Sequence, residues 1–84
     1  MYLAKVFIRL KPTVNDPQGQ TIHGGLLQLG FDTVAGVRAG KYMEVRLEEA
    51  RESDAAQMVR DMCDQLLANP VIEDYRFELE HESS

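Results

Sequence analysis

Lys11-Pro12-Thr13-Val14-Asn15-Asp16-Pro17-Gln18-Gly19 decides how this chain folds, because it joins an alternating apolar run at residues 2–10 to a helical one at residues 22–29. Asp16 before Pro17 reads as a helix N-cap followed by the first helical position. The carboxylate accepts backbone N–H groups that the first turn leaves without partners, and proline lacks a donor that would be idle there. Pro12 separately holds Lys11 extended. The stretch therefore forms a rigid polar corner, more sharply specified than a connector between strand and helix requires. Such a corner suits a docking edge and names no reaction.

Upstream of the corner, Tyr2, Ala4, Val6, Ile8 and Leu10 fall on one face of a strand and Leu3, Lys5, Phe7 and Arg9 on the other. Leu3 and Phe7 make the second face half apolar, which predicts that something covers it. Downstream, a helix runs from Pro17 to about residue 29, with Ile22, Leu26 and Leu29 as its buried stripe and Gly30 as a left-handed cap. Gly24-Gly25 costs about 1 kcal/mol per residue relative to alanine in mid-helix; close packing of this helix on a sheet is the favoured reading of the pair, and backbone access for a ligand is the alternative.

Residues 31–38 lead into Ala39-Gly40, after which Met43, Val45 and Leu47 alternate with Tyr42, Glu44 and Arg46; the pattern predicts a two-stranded hairpin turning at Ala39-Gly40. Residues 36–41 resemble a phosphate-binding loop only superficially. The glycine spacing is one short, Tyr42 stands where Ser or Thr belongs, and a strand follows instead of a helix. A second helix, capped by Ser53 or Asp54, extends to about residue 68. Its apolar stripe is Ala55, Val59, Met62 and Leu66, flanked by Met58 and Leu67, with Cys63 beside it as a small core residue. Asn69-Pro70 ends that helix. A last strand, residues 71–79, points Tyr75, Phe77 and Leu79 inward and leaves residues 80–84 as a frayed acidic tail.

The order strand, helix, strand, strand, helix, strand with right-handed crossovers is that of an α+β, two-layer ferredoxin-like sheet (β-α-β-β-α-β) carrying both helices on one face. Residues 1–84 make a single domain. A chain this short buries only about 60% of its unfolded surface and gains from a partner. The open face bearing Leu3 and Phe7 is therefore expected to pack in a homodimer or tetramer.

Composition narrows the chemistry. One cysteine excludes an internal disulfide and a CxxC site and fits a reducing cytoplasm. No apolar run reaches the roughly 20 residues of a membrane span, and no signal peptide is visible. The net charge of −5 divides into +3 over residues 1–43 and −8 over residues 44–84, which favours self-association and makes a poor general nucleic-acid binder. His23 and His81 stand at no metal-ligand spacing and read as surface residues; Glu48-Glu49, Glu52 and Glu73-Asp74 read as solvated charge. No serine sits in a nucleophile-elbow context. On these grounds the chain is a binding or scaffolding module.

Three ordered segments carry a resemblance. Lys11-Pro12-x-Val14-x-Asp16-Pro17-Gln18-Gly19, then Leu29-Gly30-Phe31-x-x-Val34-x-x-Val37-Arg38-x-Gly40-Lys41, and finally residues 66–75, Leu-Leu-Ala-Asn-Pro-Val-Ile-Glu-Asp-Tyr, are similar to the PurS family, the small subunit of phosphoribosylformylglycinamidine synthase. The resemblance implies a place in de novo purine synthesis, where the complex converts formylglycinamide ribonucleotide, ATP and glutamine into formylglycinamidine ribonucleotide. It further implies a cytoplasmic accessory subunit of a ligase, without catalytic residues, cofactor or metal of its own. ATP and Mg2+ would be used by the large synthetase subunit, ammonia would come from a glutaminase subunit, and this chain would bridge the two. Lys11, Asp16, Pro17, Gln18, Gly19, Arg38, Gly40 and Lys41 are the expected partner-subunit surface. An ACT-like regulatory module, which binds a small molecule at a dimer interface, shares the strand order and is the alternative.

Overall fold

The computed structural model describes residues 1–82. Three strands, β1 (Tyr2–Leu10), β2 (Gly40–Leu47) and β3 (Glu73–His81), form one antiparallel sheet in the order β2-β1-β3. Helix α1 (Pro17–Gln28) connects β1 to β2, and helix α2 (Glu52–Met62), continued by one π-helical turn (Cys63–Leu67), connects β2 to β3. β1 holds the centre because it is the most apolar strand, and its register pairs Val6 with Met43 on one side and Phe77 on the other. Ala4, Val6 and Ile8 face α2 and pack with Leu47, Val59, Cys63 and Ala68 as the buried core. Tyr75, Phe77 and Leu79 lean on that core as expected.

The ferredoxin-like α+β class stands, with one strand fewer than expected. Residues 31–39 do not pair with β2, and Gly40 is the first residue of β2 instead of a hairpin turn. The reason lies in where the segment's polar groups go. The Val34 carbonyl is taken by His23 of α1 (2.9 Å), and the Ala39 N–H by the Asp16 carboxylate (2.7 Å), so these groups serve α1 and its cap and not a ladder. The free edge of β2 is left unpaired in the single chain.

α1 also departs from the expected layer. Only Gly19 of its residues is buried, and Ile22, Leu27 and Leu29 are largely exposed, so α1 stands off the sheet while α2 covers it. The chain is correspondingly elongated, with a radius of gyration of 16.4 Å against about 12 Å for a compact domain of this length. Nothing approaches the positions where Cβ atoms would be added at Gly24 and Gly25, so within this chain close packing does not explain the pair. Gly30, at φ +98°, does adopt the left-handed conformation after α1.

α2 begins a turn earlier than expected. Arg51 is its N-cap without a side-chain bond, and Ser53 and Asp54 lie inside the first turn, where Glu52 and Asp54 complement the positive end of the helix. The π turn, closed by the Ala68 N–H to the Cys63 carbonyl (3.0 Å), inserts a residue and shifts the helical register. Cys63 is thereby fully buried, as expected, while Leu66 is turned out to 83% exposure and Met58 is also exposed. Burial and the neighbouring Asp64 push the Cys63 thiol up, away from thiolate character. β3 starts after Ile72 and runs through His81, and the Glu82 N–H bonds the Met1 carbonyl (2.9 Å), so the chain is ordered past the expected end of the strand. Residues 83–84 of the expected tail lie outside the described residues.

Leu3 on the open sheet face is buried by its own chain. It lies opposite Arg46 and Glu80, whose ion pairs with Glu82 (3.2 Å) and Lys5 (2.8 Å) surround it. The stems of long charged side chains cover apolar surface in this way while their heads stay in water.

The register shift makes a stability prediction. Val59→Ala should cost about 2 kcal/mol, the loss of two buried methyl groups plus a small cavity, whereas Leu66→Gln should change stability by less than about 0.5 kcal/mol. Urea unfolding of the two variants checks it; a large loss at Leu66 would contradict the π turn.

Candidate functional site

The corner begins with a single buried carboxylate. Asp16 is 3% exposed; its Oδ1 accepts the Gly19 N–H (2.9 Å) and its Oδ2 the Ala39 N–H (2.7 Å). The first bond caps α1 and the second draws the distant 37–39 segment against it. Gly19 is required at the junction, because a Cβ there would collide with the Val37 carbonyl and the Asp16 carboxylate itself. Those two N–H groups, Gly19 first, hold the Asp16 carboxyl below the usual carboxylate range, with the Arg38 guanidinium adding to the effect.

Arg38 locks the other side. Its Nη2 donates to the carbonyls of Lys11 and Val14, both at 3.0 Å, and the Val14 N–H closes the Lys11 turn (2.9 Å). The Lys11 N–H in turn donates to the Ile72 carbonyl (2.8 Å), bringing in the turn before β3. Glu73 fixes that turn by accepting the Asn69 N–H (2.7 Å), and its second oxygen faces Lys41 at 3.5 Å. Gly40 crosses β1 so closely that a Cβ would stand 2.6 Å from the Ile8 carbonyl. Three loops, residues 11–19, 37–41 and 69–73, are thus tied into one end of the sheet.

All eight residues that the sequence singles out for partner binding converge here, and they divide by exposure. Asp16 and Gly19 are buried and build the corner; Pro17, Gln18, Arg38, Gly40 and Lys41 face outward, and Lys11 is half-buried. Glu73 and His23 belong to the same frame, although the sequence presents Glu73 as solvated charge and His23 as a surface residue. Glu73 follows Asn69-Pro70 by the interval that lets a side chain cap the turn, a signal available in the sequence. His23 pairs with a carbonyl 11 residues away, and no local pattern shows that. Among the described residues, no group of three or more His, Cys, Asp and Glu side chains is placed to hold a metal. No helix among them is long and apolar enough to cross a membrane.

A three-stranded ferredoxin-like sheet whose polar side chains are spent on holding loops together defines a small α+β binding module. The chain belongs to the PurS family: the model described as PurS, phosphoribosylformylglycinamidine (FGAM) synthase, matches residues 3–81. The PurS subunit of Synechocystis is 50% identical over 93% of this chain and 78% of its own length, and that of Bacillus subtilis is 46% identical over 95% and 94%. The crystal structure of Methanocaldococcus jannaschii PurS superposes with a TM-score of 0.89 at 42% identity, covering 99% of this chain and all of that one. A chain in the structure of PurLQS from Thermotoga maritima matches with a TM-score of 0.84 at 27% identity, covering 95% of this chain and 99% of its own. The family's activity is that of an FGAM synthase subunit in purine biosynthesis, and the ACT-like alternative finds no support among these relatives.

The frame predicts acid sensitivity. A depressed carboxyl contributes stability that is fully present above its unfolded pKa, near 3.9, and is lost as pH falls through the lower folded value. Asp16→Asn should lower the melting temperature at pH 7 and flatten the loss of stability below about pH 4. Gly19→Ala, which leaves the charge intact, should cost about 1–3 kcal/mol by overpacking without changing that acid limb. Thermal melts from pH 2 to 7 check both.

Proposed function

We propose that this chain is the non-catalytic cytoplasmic subunit that bridges the large ATP-dependent synthetase and the glutaminase of FGAM synthase and supports transfer of ammonia between them. Family membership and the likeness to a chain of PurLQS support the reading, and the observation that carries it is the corner. A module that only had to fold would not need three loops knotted at one end with Arg38 and Lys41 held on their outer side. Pre-ordering of that kind lowers the entropy cost of docking. Lys11, Pro17, Gln18, Arg38, Gly40 and Lys41 present the docking surface, and Asp16 and Gly19 hold it in shape. ATP and Mg2+ stay with the large subunit, and this chain carries no cofactor or metal of its own.

A second copy of the chain completes the fold. Ile22, Leu27 and Leu29 of α1 are uncovered, and β2 has a free edge; an apolar helix face and an unpaired strand are what a partner copy can cover. This moves the self-contact from Leu3 and Phe7 to α1 and β2, because the open face already supplies its own cover around Leu3. Gly24 and Gly25 then provide the close approach between copies that the single chain does not use.

Two measurements test these readings. With the large subunit and glutaminase, glutamine-dependent turnover should appear only when this chain is added, while ammonia-dependent turnover proceeds without it. Lys41→Gln, which removes the charge that Lys41 presents without setting a like charge beside the largely buried Glu73, should weaken co-elution of the three chains at least tenfold and leave the fold intact. Turnover indifferent to the chain would sink the bridging role. Separately, Gly24→Ala and Gly25→Ala should weaken self-association in sedimentation. If the copies do not meet there, each would instead only stabilise the chain by about 1 kcal/mol.

A further inference from the structure

A cleft of about 410 Å³ opens at the corner end of the uncovered sheet face, between β1, the 38–41 segment and the start of β3. Its size is within the range, about 300–1,000 Å³, that holds one small-molecule ligand. Four of the nine Lys and Arg residues of this acidic chain line it: Arg9, Arg38, Lys41 and Arg76. Lys41 is paired with Glu73 (3.5 Å) and Arg76 with Glu78 (3.2 Å), whereas among the described residues Arg9 makes no ion pair and the bonds of Arg38 both use Nη2, leaving Nη1 and Nε without a protein partner.

Beside these cations lies a cluster of two tilted aromatic rings and a guanidinium. Phe7 packs against Tyr42 of the neighbouring strand at 5.1 Å, and the Arg76 guanidinium lies over the Phe7 ring at 4.0 Å. The Arg76 side chain is 68% exposed, so its outer plane is open to a further ring. Aromatic and guanidinium planes on a ferredoxin-like sheet are what unpaired nucleobases stack on. The sequence shows Phe7 and Tyr42 only as members of two separate alternating runs; the register of β1 and β2 sets them side by side.

We propose that this cleft binds a single mononucleotide, with the base stacked on Arg76 above Phe7 and the phosphate held by Arg9 and the free nitrogens of Arg38. Asp74, the one carboxylate on the lining, repels a phosphate and accepts from a ribose hydroxyl or base amino group, which orients the ligand. The occupant is one nucleotide and not a strand. Beyond the cleft the same face carries Glu44, Glu78 and Glu80, which repel a phosphodiester backbone running along the sheet. The inference does not depend on the bridging role, and its test uses this chain alone.

Calorimetric titration of the isolated chain with AMP, adenosine, ribose 5-phosphate and a short single-stranded oligoadenylate decides it. Saturable AMP binding is expected, with adenosine and ribose 5-phosphate each at least tenfold weaker. Arg76→Ala and Arg9→Glu, both exposed and checked for folding by circular dichroism, should each weaken AMP about tenfold, the loss of one stacking or one phosphate contact. No AMP binding at millimolar concentration overturns the proposal. So does equal affinity for ribose 5-phosphate, which marks a plain anion site, or tighter binding of the oligonucleotide per site, which marks a strand surface. Affinity unchanged in both variants places the ligand elsewhere and overturns it as well.

Discussion

The architecture depends on one carboxylate with two backbone donors that are 20 residues apart in sequence. Asp16 caps α1 through Gly19 and holds Ala39 through its other oxygen. A charged acceptor in a nearly dry position makes stronger bonds than a neutral one, and its removal strands donors that no water easily reaches. The same carboxylate that fixes the entry of α1 also removes the 37–39 segment from β2. The missing fourth strand, the free β2 edge and the stand-off of α1 are therefore consequences of one local choice.

That choice divides the molecule into a stiff end and an incomplete one. At the corner end, Arg38, Glu73 and the Lys11–Ile72 bond tie three loops to the core beneath β1. Toward α1, apolar side chains lie open and the helix carries two glycines with nothing near them. A single copy could be stable with such an arm only if the remaining core were generous, and among the described residues the largest fully buried side chains are only Ile8, Val6, Val59 and Cys63. The shortage of core thus supports the proposed self-association as much as the exposed stripe does.

What the sequence revealed follows interaction range. β1, the capped start of α1, the inward set Tyr75, Phe77 and Leu79, and buried Cys63 were legible because each is fixed by neighbours within a turn or by strand alternation. The π turn was not. Val59, Met62 and Leu66 fit an ordinary helical stripe, and only tertiary packing, with the Tyr75 hydroxyl bonded to Asp64 at 3.2 Å, favours the inserted residue that turns Leu66 outward. The hairpin at residues 31–47 failed for a related reason. Its alternation is real, but a carboxylate 23 residues away outcompetes the ladder for the Ala39 N–H. Of the eight residues expected at the corner all converge, yet their spacing could not separate the buried Asp16 and Gly19 from the presented Arg38 and Lys41.

The distribution of charge makes the same point about the corner as a working surface. A chain of net charge −5 would repel an acidic partner or a phosphate if its charges were spread evenly. They are not: the strand register sends Glu44 and Glu80 to the middle and far end of the open face, leaves Glu78 as the partner of Arg76, and gathers Arg9 and Arg76 near Arg38 and Lys41. Local field at short range is set by the nearest few charges, since salt screens the rest beyond about 8–10 Å. The corner therefore presents a basic surface on an acidic protein, and it does so on loops whose positions Asp16 and Arg38 have already fixed. Binding there needs no loop to be ordered first, which is why the stiffest part of the fold is also the part best suited to meet a partner or a ligand.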